Sequence, residues 1–158
     1  MQYTFNKNKD ISSSFIKEDY FPAIVEFSSE ELNNHFIEFN FSDTDMFELS
    51  VNPKTKELKR FTLTLCNHFT IEGKSLSLPT YEVGGFTISG PDKTECSTFS
   101  VKVYNNGLMI ETSNEIASKH LRSGHLIFGL SSSDEVTAVY IADLTSDEIA
   151  HIKSELNA

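Results

Sequence analysis

Residues 46–65, MFELSVNPKTKELKRFTLTL, decide the fold class, because their polarity alternates with a period of two on either side of a short link. Phe47, Leu49 and Val51 point one way, with Glu48 and Ser50 opposite; Phe61, Leu63 and Leu65 point one way, with Thr62 and Thr64 opposite. The link Asn52-Pro53-Lys54-Thr55-Lys56 is rich in turn formers. The two strands are therefore expected to pair as a hairpin with one buried face.

The same alternation runs outward, from residue 36 to 141. Phe99, Val101 and Val103 lead into Tyr104-Asn105-Asn106-Gly107, and Leu108 and Ile110 lead out. Asn106-Gly107 suits the positive φ angles of a type I′ turn, so a second hairpin is expected there. Leu126, Phe128 and Leu130, then Ser131-Ser132-Ser133-Asp134, then residues 136–141 make a third. Ala23, Val25 and Phe27 mark a strand after Pro22, and Ile37, Phe39 and Phe41 another. Phe86 and Ile88 follow Gly84-Gly85, which is read as a bulge or a turn.

Helix signals are fewer. Thr145 with Glu148 has capping-box spacing, Leu144 and Ile149 have staple spacing, and Ile149, Ile152 and Leu156 line one face, so a helix is expected over about residues 146–156. Ser28 with Glu31, between Phe27 and Leu32, predicts one or two turns. Residues 113–122, SNEIASKHLR, also have a helical composition with a basic end. No linker or internal repeat divides the chain. The expected architecture is a single domain over residues 1–158: α+β, strand-rich, with antiparallel sheets built from hairpins and a C-terminal helix packed on the sheet.

Composition narrows the function classes. The 23 acids and 13 bases give a formal charge of -10. Between Glu18 and Pro53 there are nine acids and no Lys or Arg, and bases return at Lys54, Lys56, Lys59 and Arg60. A negative field repels phosphate backbones and anionic membranes and attracts basic protein surfaces, so a protein partner is expected, with no nucleic acid and no membrane. Residues 1–15 hold two lysines but no apolar run of signal-peptide length, and no stretch approaches the roughly 20 residues of a membrane span. A cytoplasmic chain starting at Met1 is expected, with Cys66 and Cys96 as core or half-buried thiols, although a bridge between them is also open.

No arrangement of catalytic groups stands out. Cys66 and His68 alternate without a second ligand pair, His120 and His125 are five apart, and His151 is placed on the exposed side of the last helix. Gly84-Gly85 and Ser89-Gly90-Pro91 lack phosphate-loop spacing, and the serine runs 12–14 and 131–133 lack a nucleophile elbow. No catalytic residue, cofactor or metal is expected. Phe36, Phe39, Phe41, Phe61 and Phe99 alternate with polar residues as core residues do, and lack the basic groove of a single-strand binder.

Residues 47–69, FELSVNPKTKELKRFTLTLCNHF, resemble a strand-turn-strand unit of small bacterial immunity proteins of contact-dependent growth inhibition and related polymorphic toxin systems. The resemblance implies a tight complex with the C-terminal domain of a cognate toxin, often a basic nuclease, whose active site or substrate surface is blocked. It carries no binding residue over by motif. Charge supplies the candidates instead: Glu30, Glu31, Glu38, Asp43, Asp45 and Glu48 as exposed acids, and Tyr20 as an aromatic anchor, with Asp134, Glu135, Asp143, Asp147 and Glu148 as a second cluster. The alternatives are a scaffold or other binding subunit and a small carboxylate-dependent enzyme with two converging acids in a cleft.

Overall fold

An alternating strand has an apolar face that must be covered. In the computed structural model of the chain, which describes residues 1–28 and 34–157, those faces cover one another across two sheets. The strands in the first half are β1 (Gln2–Lys7), β2 (Ser14–Glu18), β3 (Phe21–Glu26), β4 (His35–Phe41), β5 (Asp45–Val51), β6 (Leu58–Leu65) and β7 (Phe69–Ile71). Then come β8 (Glu82–Ser89), β9 (Lys93–Glu95), β10 (Ser100–Val103), β11 (Leu108–Glu111), β12 (Lys119–Ser123), β13 (Leu126–Leu130) and β14 (Val136–Ile141), followed by helix α1 (Ser146–Glu155). The eight-stranded sheet has the order β1-β8-β12-β13-β14-β11-β10-β7, and the six-stranded sheet β2-β3-β6-β5-β4-β9.

All three expected hairpins form, as β5-β6, β10-β11 and β13-β14. The sheets are nevertheless mixed rather than antiparallel, because β4-β9, β7-β10 and β8-β12 pair in parallel. Hairpin connections force antiparallel pairing. The short strands β7 and β9 are instead reached when the chain changes sheets, where that rule does not apply.

Phe47 is the hub of the core. Its ring stacks on Phe39 at 4.7 Å and lies 5.2 Å from Phe61 and 6.2 Å from Phe99. Phe86 meets Phe128 edge-on at 5.1 Å within the same cluster. Full burial of a Phe side chain contributes roughly 1.5–3 kcal/mol, and an aromatic pair about 0.5–1.5 kcal/mol more. Helix α1 starts at Thr145 with both halves of the capping box in place and packs on β2 and β3, adding Ile149, Ile152 and Leu156 to the core. No helix among the described residues is long and apolar enough to cross a membrane.

Several local expectations are corrected. Residues 113–118 are irregular and Lys119–Ser123 is strand β12, because Leu121 is wanted in the core between β8 and β13 while Ile116, the other apolar residue of the supposed helix face, is 90% exposed. Gly84-Gly85 is neither bulge nor turn: both lie inside β8, opposite Lys7 and Asn6 of β1, and a Cβ on Gly84 would collide with the Phe5 ring. His151 is not free on the helix surface, since its Nε2 lies 3.1 Å from the Phe21 carbonyl oxygen and its ring meets Phe15 edge-on. The turns expected from Ser28 with Glu31 fall in part outside the described residues.

The β10-β11 turn keeps its Asn-Gly pair for a different reason. Neither Asn106 nor Gly107 has a positive φ. Asn106 Oδ1 accepts from the Leu76 N–H at 2.8 Å and its carbonyl from the Leu144 N–H at 2.9 Å, while a Cβ on Gly107 would sit 2.7 Å from both the Ile141 carbonyl oxygen and Leu76 Cδ2. The glycine answers a close approach. Gly107→Ala is therefore expected to destabilise the protein by about 1–3 kcal/mol in urea denaturation, through overpacking; a change under roughly 0.5 kcal/mol would show that φ freedom and packing are both dispensable there.

Candidate functional site

The outward face of the six-stranded sheet carries the residues that matter. Outward positions on β4 are Phe36, Glu38 and Asn40, and on β5 Met46, Glu48 and Ser50, with Arg60 and Thr62 beyond them on β6. Glu38 and Glu48 sit directly opposite each other in the β4-β5 register. Burial first, and then the charge of Glu38, push the Glu48 carboxyl above its ordinary range. Like charges in direct cross-strand register oppose sheet formation. Among the described residues Glu38 is ion-paired with Lys93 of β9, whose Nζ is 3.8 Å from Glu38 Oε2 and whose side chain is 73% exposed, so its relief is weak.

Two further features of this face resist explanation by folding alone. Phe36, read from the alternation as core, points outward instead and is 53% exposed, because β4 puts Ile37 and Phe39 inward. Asn40 is 7% exposed, yet its Oδ1 has no hydrogen-bond donor. An unpaired buried acceptor costs roughly 1–3 kcal/mol. The face thus combines two carboxylates, an orphan amide oxygen and an exposed ring.

The other sequence candidates divide. Asp43 is exposed in the β4-β5 turn with φ 58°. Tyr20, 86% exposed with φ 73°, occupies the β2-β3 turn and donates its N–H to Glu155 Oε2 at 2.9 Å. The strand registers put both turns at the Leu65 end of β6, so Tyr20 and Asp43 share one end of the sheet. Glu30 and Glu31 lie outside the described residues. The second acidic cluster is not a cluster: Asp134 and Glu135 precede β14 while Asp143, Asp147 and Glu148 follow it, about 20 Å away along a strand of this length. Its members are also engaged locally, Asp134 with Lys119 at 2.8 Å, Asp143 with Arg122 at 2.5 Å and Glu148 in the helix cap.

Asp45 is corrected outright. It is fully buried, not an exposed acid, because it serves the passage from β6 to β7. Its carboxylate accepts from the Asn67 N–H at 2.6 Å, the His68 N–H at 3.1 Å, the Thr44 hydroxyl at 2.8 Å and the His68 ring Nδ1 at 2.6 Å. Burial alone would raise its pKa, but these bonds outweigh that and hold it below the ordinary carboxylate value. Sequence alternation could not find this role, since the donors belong to a crossover 22 and 23 residues away.

Cys66 and Cys96 are both free and half-buried. Burial, and then the Asp45 charge, push the Cys66 thiol up to about 12; burial, and then Glu95, push Cys96 up to about 11. At neutral pH neither is a ready nucleophile. Among the described residues no three His, Cys, Asp or Glu side chains gather as a metal site. No protein-family model matches the chain, and no curated protein matches it.

Two measurements follow. Asp45→Asn is expected to cost about 1.5–3 kcal/mol at pH 7, the range for hydrogen bonds to a charged group. A carboxyl held below its unfolded value adds stability above about pH 4 that is lost as pH falls through the depressed folded value, so the variant's stability curve should be flatter in that acid range; an equally steep curve would remove Asp45 from this role. Glu48→Gln is expected to do the opposite. A carboxyl raised in the folded state destabilises as pH rises through that value, so the variant should gain about 0.5 kcal/mol at pH 7 and low salt, with the gain shrinking toward acid pH; no gain at pH 7 would show the pair is already relieved.

Proposed function

We propose that the chain is an immunity-type inhibitor that binds a cognate, basic toxin domain through the outward face of the six-stranded sheet. One observation carries the reading: Glu38 and Glu48 are held in direct register beside exposed Phe36, an arrangement that works against the fold and that an Arg or Lys from a partner would relieve. The two carboxylates are acceptors at the surface, which suits a guanidinium with its several donors. Phe36 supplies apolar area next to them, and aromatic side chains are enriched in interfaces. Asp43 and Tyr20 lie toward one end of the same sheet as outer contacts, and the net charge of -10 speeds encounter with a basic domain. The resemblance of residues 47–69 to immunity proteins falls on β5 and β6, the strand pair that presents Glu48.

Co-expression with the C-terminal domain encoded directly upstream is expected to restore growth and to co-purify both proteins; the absence of both effects would overturn the inhibitor reading. In the complex, Glu38→Lys with Glu48→Lys and Phe36→Ala is expected to weaken affinity at least a hundredfold, mostly in dissociation for Phe36 and in salt-dependent association for the acids. Unchanged affinity in a folded variant would move the interface elsewhere while leaving the inhibitor reading intact.

A further inference from the structure

Away from the acidic face, a cleft of about 690 Å³ opens between the β1-β8 edge of the larger sheet and the start of β6. Its volume falls in the range of small-molecule sites. Phe5, Phe27, Phe86, Ile11 and Leu58 give it apolar walls. Thr4, Ser12 and Thr87 add hydroxyl groups.

The backbone directs a charge into this cleft. In the β5-β6 register Val51 faces Leu58 and Ser50 faces Arg60, so Lys59 is the extra residue of a β-bulge. The bulge breaks the alternation, and Leu58 and Lys59 both line the cleft. The Lys59 side chain is only 13% exposed. Its ion-pair partner is Glu57, at 3.6 Å, and the same carboxylate faces Lys9 Nζ at 3.8 Å. Both separations exceed ordinary hydrogen-bond length, so one carboxylate is shared loosely between two ammonium groups. Asp10, the other acid of the lining, is exposed in the loop between β1 and β2. A mostly buried lysine with one loose partner among the described residues, set against three aromatic rings, has the chemistry to hold an anion whose body is apolar.

We infer that this cleft binds a small organic anion with an apolar or aromatic body, its anionic group on Lys59 and Lys9 and its body against Phe27 and Phe86. The site is independent of the acidic face and of any toxin partner. Titration of the whole chain with anilinonaphthalene sulfonate tests it by fluorescence, alongside the uncharged N-phenylnaphthylamine. One saturable site is expected, at least tenfold weaker for the uncharged probe, displaced by decanoate, at least tenfold weaker in Lys59→Met and unchanged in Lys93→Met. Lys9→Met, at the exposed rim, is expected to weaken binding about threefold and serves if Lys59→Met does not fold. Absence of saturable binding, equal binding of the two probes, or indifference to both lysine substitutions would each overturn the assignment.

Discussion

A chain that changes sheets must satisfy its backbone polar groups where it leaves one ladder for another, and in this protein a buried carboxylate meets that constraint at a passage of only three residues. Three residues, Cys66, Asn67 and His68, separate β6 of one sheet from β7 of the other. Asp45 accepts the N–H groups of Asn67 and His68 and the His68 ring, and Asn67 Nδ2 donates to the Thr44 carbonyl oxygen. The start of β5 is thereby tied to the end of β6 and to the strand beyond. With that passage closed, Phe47 and Phe61 on one sheet meet the larger sheet's apolar face in a single cluster.

Other passages between the sheets use the same kind of solution. Between β1 and β2, the Ser13 hydroxyl accepts from the His125 N–H at 2.8 Å and lies 2.6 Å from its ring Nδ1. Around β9, the Glu38 N–H donates to the Asp92 carbonyl oxygen and the Cys96 N–H to that of Asn40. Each short polar side chain or peptide group closes a gap in the ladder at the margin of the apolar inner faces.

The break in charge after Pro53 becomes a polarity along the smaller sheet. Asp43 lies in the β4-β5 turn at one end, and Lys54 and Lys56 lie in the β5-β6 connection at the other, where the bulge turns Lys59 into the cleft. The two proposed binding regions thus have opposite chemistry on one sheet: acceptors in search of donors on the outward face, and ammonium groups beside aromatic rings at the margin of the core.

Alternation of apolar and polar residues was enough to determine the hairpins, the inward set Phe47, Leu49, Phe61 and Leu63, and, through the capping box and staple, helix α1, because these depend on neighbours within a few residues. The distribution of charge along the sequence was enough to mark the acid-rich stretch that holds Glu38 and Glu48, but alternation had limits. It could not order strands that meet across long loops, so β7 and β9 and their parallel pairing were invisible. Tyr3 and Phe5 carried a faint period-two signal of β1, too short to separate from its polar surroundings. Only the tertiary structure decided that Asp45 is buried while Glu48 is half-exposed, though both are acids of one strand. The reason is physical: a carboxylate is buried where donors converge on it, and those donors come from a crossover that local periodicity does not encode.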